Sequence, residues 1–235
     1  VNFHFINSSD SSTNFDQMSA EKFARGLLNS ANEVLRKNTK MFLPNGNDTP
    51  VLPLRYQYKW VNDPETNKRA IYYHYDDEVC KYVHRGKNRN YGDRKVIKKY
   101  GIQTDSILNI FMMSHHPDSV ASKTYAADGV GVAVGASIKI AGPFYSQKPY
   151  WTFIGTLNHE IGHVYTLSHT WSYDDQCDDT PKNPNCFNRD AAKAGCDSLT
   201  SNNVMDYNAW QAAFPPCQIG RIQNSMATEN SRQRK

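Results

Sequence analysis

The chain has 235 residues, of which 39% are hydrophobic and 21% are charged, and its formal net charge at pH 7 is +4. This length and composition exclude global disorder and favour one globular unit that can bury a sizeable core. No apolar run approaches the roughly 18 residues that a membrane helix needs, so we expect no membrane span. The sequence starts at VNFHF without an initiator methionine or a signal-peptide pattern, so we expect that the chain has been trimmed.

The first half of the chain predicts strands and one long helix. Residues 1–6 alternate as a half-buried strand does, and residues 19–42 repeat apolar side chains at three- and four-residue steps, which is typical of an amphipathic helix. Residues 54–60 and 70–79 alternate polar and aromatic side chains on either side of an Asn-Asp-Pro turn. We therefore expect two antiparallel strands there, joined by a hairpin loop.

Residues 81–100 form the only strongly basic block of the chain. A block of this kind is usually a solvated loop and helix surface, and less often a site for a polyanion. It lacks the interleaved stacking aromatic residues of a nucleic-acid interface, so we expect no nucleic-acid partner.

The second half predicts further strands and two helices. Residues 106–114 are a short apolar run that suits a buried central strand, and residues 129–142 indicate a glycine-interrupted strand. Its glycines would let an extended peptide pair with it at a sheet edge, and a bulged edge strand without a partner is the alternative. Apolar spacing predicts a helix over 148–167, and a short helix is expected over 216–226. This order of elements indicates an α+β fold with helices covering a sheet.

Five cysteines are unevenly distributed along the chain. Four of them lie in the last quarter: Cys177, Cys186, Cys196 and Cys217. We expect two disulfides in a loop-rich C-terminal lobe, which favours an oxidising compartment, although spacing leaves the connectivity open. A structural zinc site is the alternative, but the sequence has no CxxC pair. Cys80 stands alone and is either buried or a free thiol.

The segment HEIGHVYTLSH at 159–169 carries three histidines and a glutamate. His159 and His163 lie one helical turn apart, so both imidazoles can reach one metal ion, and Glu160 can reach a water bound there as a general base. His169 can be a third ligand only if the chain bends sharply after His163. Three neutral nitrogens and a water are the open coordination of catalytic zinc, which points to peptide-bond hydrolysis without a covalent intermediate.

Two motifs carry a resemblance to a known clan. HEIGHVYTLSH resembles the long zinc signature HExxHxxGxxH of the metzincin metallopeptidases, and NNVMDY at 202–207 resembles their Met-turn. Within that clan, DDTP at 178–181, the phrase NVMDY and FPPCQIGRI at 214–222 are similar to the pappalysin-like family. The similarity covers roughly residues 105–225 by motif order.

The resemblance implies a fold and its division into lobes. We expect an α+β metzincin-type catalytic domain that spans residues 1–235. Its N-terminal lobe (1–169) would hold a twisted mixed sheet and an active-site helix, and its loop-rich C-terminal lobe (170–235) would hold the Met-turn. The first hundred residues are compatible with such a lobe but carry no diagnostic motif.

The resemblance also implies roles for single residues. It implies that the three histidines hold zinc, that Glu160 is the base, and that Met205 forms a hydrophobic floor beneath the ligands. Tyr207, two positions after Met205, is implied to assist the oxyanion. An ordinary packed tyrosine is the alternative.

A substrate strand and a calcium site are implied as well. The strand before the active-site helix pairs with substrate in such enzymes, so residues 130–135 would form the upper rim of the cleft. The residues of this strand that we expect to contact substrate are Gly131, Val132 and Ala133. Pappalysin-like domains also bind calcium in the loop lobe, where a solvated acidic loop is the alternative. The oxygen donors in that loop come from Asp175, Asp178, Asp179 and Thr180.

Two positions depart from the family pattern. Position 166 is threonine where the signature has glycine, and a β-branched residue is strained in the left-handed conformation that usually turns the chain there. Either Thr166 takes another conformation, or His169 is displaced and zinc affinity falls. The acidic residue that gives some relatives a preference for basic side chains is missing after Tyr207, so we expect an apolar or broad pocket lined by Trp210 and Phe214.

The sequence therefore predicts a secreted or cell-surface zinc metalloendopeptidase that acts on a protein or peptide substrate as a monomer. Its cofactors would be Zn²⁺ and a structural Ca²⁺. Two alternatives stay open: a non-catalytic zinc-binding or protein-binding module of the same fold, and a zinc amidohydrolase. Glu160 favours catalysis, because a binding module has no use for a base at that position.

Overall fold

The computed structural model describes residues 1–10, 15–44, 46–121, 130–142, 149–171, 175–180, 201–207 and 211–228. A mixed sheet of six strands forms its centre. The strands are β1 (Asn2–Asn7), β2 (Ile71–Tyr75), β3 (Lys81–Tyr82), β4 (Asn109–His115), β5 (Val130–Val134) and β6 (Ser137–Ala141). Five of them follow the order β2-β1-β4-β6-β5, and β3 pairs with β4. Neighbouring strands are parallel except β5, which runs antiparallel to β6.

Helices cover the sheet, as the predicted α+β class requires. They are α1 (Gln17–Lys37), α2 (Lys95–Tyr100), α3 (Pro117–Val120), α4 (Ile154–Val164), which follows a 3₁₀ turn, and α5 (Pro216–Ala227). α1 begins where the Asp16 carboxylate accepts a hydrogen bond from the Ser19 N–H at 2.8 Å. It ends before Asn38, which has a φ of +36°, rather than at the predicted residue 42. None of the described helices is long and apolar enough to cross a membrane.

The larger hydrophobic core lies between one face of the sheet and helices α1 and α4. Successive side chains of a strand alternate between faces, so Phe3, Phe5 and Ile110 belong to this core, while Ile6 and Phe111 belong to a smaller core on the other face. The first strand is therefore buried on both faces rather than half-buried. β4 is buried along its whole length, which confirms the predicted central strand.

The predicted pair of antiparallel strands after α1 is wrong. Residues 54–60 form no strand, because the side-chain amide of Asn32 on α1 takes the backbone groups of Tyr58. The Tyr58 N–H donates to the side-chain oxygen of Asn32 at 2.7 Å, and the side-chain nitrogen of Asn32 donates to the Tyr58 carbonyl at 2.9 Å. Residues 70–79 do contain a strand, β2, but β2 pairs in parallel with β1.

Residues 130–142 form two strands, whereas the sequence predicted a single strand over 129–142. Gly135 has a φ of +63°, which glycine adopts without steric cost, and it reverses the chain between β5 and β6. β5 is consequently an edge strand, and no strand among the described residues pairs with its outer side.

Candidate active site

Three histidine side chains converge on one point beside α4. His159 and His163 project from the same face of this helix, and His169 reaches them from the segment that follows it. The three Nε2 atoms lie 3.0 to 3.1 Å from one another. The structure therefore brings together all three residues that the sequence singled out as metal ligands.

Backbone carbonyls determine which nitrogen carries the hydrogen in two of these rings. His159 Nδ1 lies 2.8 Å from the carbonyl oxygen of Val204, and His163 Nδ1 lies 2.8 Å from that of Leu167. A carbonyl can only accept, so both Nδ1 atoms donate and both Nε2 atoms present lone pairs. These lone pairs face each other and His169 Nε2. A cation bound between the three Nε2 atoms would accept these lone pairs.

Burial keeps these imidazoles neutral. Removal from water, with a further contribution from neighbouring histidines, lowers the pKa of His159 to about 3 and that of His169 to about 4. Burial also lowers the pKa of His163. Neutral imidazole is the form that binds transition metals, so this donor set fits a metal ion such as zinc.

The turn that brings His169 into place contains Thr166 in a left-handed conformation, with a φ of +68°. The Thr166 N–H donates to the His163 carbonyl at 2.9 Å, and the Leu167 N–H donates to the Gly162 carbonyl at 3.0 Å. These two bonds cap the C-terminal end of α4. The turn therefore keeps the left-handed conformation and His169 is in place, so the predicted change of conformation and the predicted displacement of His169 are both wrong.

The Met-turn packs directly against α4. Met205 is fully buried, and a Cβ at Gly162 would collide with its sulfur. Gly162 immediately precedes His163, so glycine at this position lets Met205 lie against the part of α4 that carries His159 and His163.

Gln211 is a positioning residue that sequence reasoning missed. Its side-chain nitrogen donates to the carbonyls of Val204 at 3.1 Å and Asp206 at 2.5 Å, and it lies 3.3 Å from His159 Nδ1. Gln211 therefore holds the carbonyl that orients His159. No spacing signal marks it, because its partners are backbone groups that only the folded Met-turn brings together.

Glu160 lies against the edge strand β5. Its carboxyl accepts a hydrogen bond from the backbone N–H of Ala133, and a Cβ at Gly131 would lie 2.6 Å from Glu160 Cγ. β5 approaches α4 this closely because residue 131 has no side chain. Burial raises the pKa of Glu160 to about 7, and the Ala133 hydrogen bond opposes this rise. A cation held by the histidines would also lower this pKa.

Tyr207 and Trp171 pack beside the histidines. The Tyr207 ring centroid lies 5.3 Å from that of His159 and 5.0 Å from that of His169. Trp171, which the sequence did not single out, stacks on His169 with centroids 4.1 Å apart. Burial and the nearby Glu160 charge raise the pKa of Tyr207 to about 12, so its hydroxyl keeps its proton at neutral pH.

Comparison with known families agrees with this geometry. The sequence profile of the pregnancy-associated plasma protein-A family of peptidases matches residues 91–227, which is more than half of the chain. The chain belongs to this family. It is a pappalysin-like metzincin, and so a metallopeptidase by family, which confirms the prediction from the sequence. Membership of this family implies zinc as the metal.

Solved structures show the same fold. Mature mirolysin of Tannerella forsythia, in complex with a cleaved peptide, is 18% identical, with a TM-score of 0.59 over 100% of this chain and 93% of that chain. A mutant of promirolysin from the same organism is 18% identical, with a TM-score of 0.59 over 100% of this chain and 81% of that chain. No curated protein sequence matches the chain.

One disulfide of this pappalysin-like chain is described. It joins Cys177 and Cys217, whose Cα atoms lie 5.5 Å apart across 40 residues. Cys186 and Cys196 lie outside the described residues, so a second disulfide stays a prediction. Cys80 is buried, and within the described ranges it forms no disulfide. Because Cys177 and Cys217 are oxidised, they are not available for the structural zinc site that the sequence left open.

The loop predicted to bind calcium packs against this disulfide. Asp175 accepts hydrogen bonds from the Cys177 N–H at 3.2 Å and from the Thr180 hydroxyl. Asp179 accepts one from the Cys217 N–H at 2.9 Å. Three of the four predicted calcium donors therefore hold the loop to the disulfide, and the calcium site stays a prediction.

The predicted substrate pocket is described only in part. Trp210 lies outside the described residues. Phe214 is 1% exposed and belongs to the larger core, where its backbone N–H donates to the Asn38 side chain at 2.8 Å. The pocket lined by these two residues stays a prediction.

We expect Thr166→Gly to raise the free energy of unfolding by about 1 kcal/mol, because glycine removes the cost of a β-branched residue at positive φ. Thr166→Ala keeps a Cβ and should gain less. Urea denaturation measures both values. A glycine variant no more stable than the alanine variant would contradict the strain at this turn.

We expect Gln211→Ala to weaken zinc binding by about 10- to 100-fold, because it removes the support of the carbonyl that orients His159. Competition with a chromophoric chelator measures the affinity. Gln223→Ala, at an exposed position of α5, is the matched control and should bind zinc like the unchanged protein. Equal affinity in both variants would show that the Val204 carbonyl needs no such support.

Proposed function

We propose that this metallopeptidase is a zinc-dependent endopeptidase in which Glu160 is the general base. The observation that carries the proposal is the convergence of three neutral imidazole nitrogens, 3.0 to 3.1 Å apart, next to a carboxyl on the same helix. His159, His163 and His169 would hold the metal. When bound, Zn²⁺ supplies Lewis acidity that acidifies water and polarises a carbonyl.

The side chains around the metal position divide the remaining work. Glu160 takes a proton from the attacking water and delivers it to the leaving amine, so no covalent intermediate is needed. Tyr207, whose hydroxyl stays protonated, donates a hydrogen bond to the oxyanion.

The edge strand β5 orients the substrate. An extended peptide that adds to its outer side forms main-chain hydrogen bonds and occupies the position of a further strand. Gly131 and Ala133 bring β5 against Glu160, so a peptide paired with this strand passes the base. Such main-chain pairing is available to any internal segment of an unfolded chain, which favours an endopeptidase.

The same proposal includes the organisation of the chain and its surroundings. Residues 1–235 form one catalytic domain with lobes 1–169 and 170–235, and the protein acts as a monomer that is secreted or attached to the cell surface. The Cys177–Cys217 disulfide supports an oxidising compartment.

We expect Glu160→Gln to bind zinc in equimolar amount and to lose casein digestion by about 10²- to 10⁴-fold, because the amide keeps the shape of the carboxyl but cannot accept a proton. Elemental analysis and digestion with and without a chelator measure the two properties. Glu65→Gln, at an exposed position, is the control and should digest normally. Zinc in the unchanged protein without digestion of any unfolded substrate would contradict the peptidase.

A further inference from the structure

Positive charge is concentrated in one short stretch of the chain. Residues 81–100 contain eight Lys and Arg against one Asp, whereas the whole chain has 27 basic and 23 acidic residues, so the remainder is net negative. Residues 84–94 of this stretch are called the basic loop here. Its exposed cationic side chains are Arg85, Lys87, Arg89 and Arg94. Lys87, Arg89 and Arg94 form no ion pair with any residue in the described ranges.

A buried lysine holds the basic loop on the sheet. Lys139 on β6 is 1% exposed, and its ammonium donates to the backbone carbonyls of Asn90 at 2.9 Å and Asp93 at 2.6 Å. It also pairs with the Asp93 carboxylate at 3.0 Å. These contacts offset the cost of burying the charge. In the sheet register Lys139 faces Val132 of β5, so the loop is tied down directly beside the edge strand.

The basic loop is also ordered internally. The Asn90 side chain accepts a hydrogen bond from the Val83 N–H at 2.8 Å and donates to the Lys81 carbonyl at 2.7 Å. The Arg89 guanidinium lies over the Tyr91 ring, 5.4 Å from its centre. A cavity of about 600 Å³ is lined by His84, Arg85, Gly86, Lys87, Arg89 and Tyr91. Charges that are already held in place lose less entropy when they bind a partner.

The loop borders the end of β5. The Arg94 guanidinium approaches to 3.4 Å from the position of a Cβ at Gly135, the residue that follows the last residue of β5. Tyr91 packs in the same small core as the valines of β5. The N–H of Ala133 donates a hydrogen bond to the Glu160 carboxyl. Ala133 precedes Gly135 by two residues, which span about 7 Å in an extended chain.

We propose that the basic loop binds acidic residues of the substrate on the N-terminal side of the scissile bond, which makes acidic peptides the preferred substrate class. This inference rests on the proposed function and names the substrate that the same site favours. A peptide that adds to β5 in the commoner antiparallel sense runs from Glu160, toward its own N-terminus, past Gly135 and Arg94. Residues about three to five positions before the scissile bond reach the arginines.

The test compares two labelled peptides that share one cleavage site taken from a casein digest. They differ only at the third to fifth residues before the scissile bond, which are Glu in one peptide and Gln in the other. We expect kcat/KM to be about tenfold higher for the Glu peptide at low ionic strength, mainly through KM. The ratio should approach one at about 0.5 M salt, because screening shortens the range of exposed charges.

A double variant assigns the preference to the loop. Arg89→Gln/Arg94→Gln should abolish the preference for the Glu peptide. The kcat/KM for the Gln peptide should stay within about twofold of that of the unchanged protein, because only the charge contact is removed. The charge-matched control is Lys22→Gln/Lys68→Gln, at exposed positions that border the opposite edge strand β2, and it should keep the full preference. Thermal unfolding of both variants verifies that they are folded.

Binding separates failure of this inference from failure of the proposed function. Fluorescence anisotropy with the Glu160→Gln protein measures Kd for both peptides whether or not they are cut. If the Glu peptide binds more tightly but the unchanged protein cleaves neither peptide, the proposed role of the basic loop is supported and the proposed peptidase function is rejected. Equal kcat/KM and equal Kd for the two peptides overturn the inference while the peptidase stands. Tighter binding of single-stranded DNA of about 20 nucleotides than of the Glu peptide also overturns it.

Discussion

The candidate active site depends on two hydrogen bonds from imidazoles to backbone carbonyls. Val204 accepts from His159 and Leu167 accepts from His163, and these bonds direct two Nε2 lone pairs toward the point that His169 reaches. Leu167 belongs to the left-handed turn after α4, and Val204 belongs to the Met-turn. The three Nε2 atoms therefore converge only when both segments are folded against α4, so the histidine cluster depends on the turn and the Met-turn as well as on one helix.

Close packing at two glycines fixes α4 between its neighbours. Met205 packs against Gly162 on one side, and Glu160 packs against Gly131 on the other. A larger residue at either glycine would push α4 away from the Met-turn or from the edge strand. On the other face of the sheet, Lys139 holds the basic loop next to the same strand. Glu160 and the basic loop therefore follow one another along the edge strand β5.

Local geometry explains what could be predicted from the sequence. Helical spacing was enough to place His159 and His163 on one face, because residues four apart always share a face. The conformation of Thr166 could not be predicted, because backbone bonds of the capped turn outweigh a local cost of about 1 to 2 kcal/mol. Residues 54–60 have the sequence pattern of a strand, yet the Asn32 side chain forms hydrogen bonds with the backbone of Tyr58. The role of Gln211 could not be predicted for the same reason, because long-range polar contacts leave no periodic pattern in the sequence.

Zinc K-edge X-ray absorption on the zinc-loaded protein measures which atoms coordinate the metal. We expect three imidazole nitrogens at about 2.0 to 2.1 Å and one oxygen from water, with one nitrogen fewer in His169→Ala. Sulfur at about 2.3 Å, or a protein that retains no zinc after dialysis, would contradict a metal site built by His159, His163 and His169.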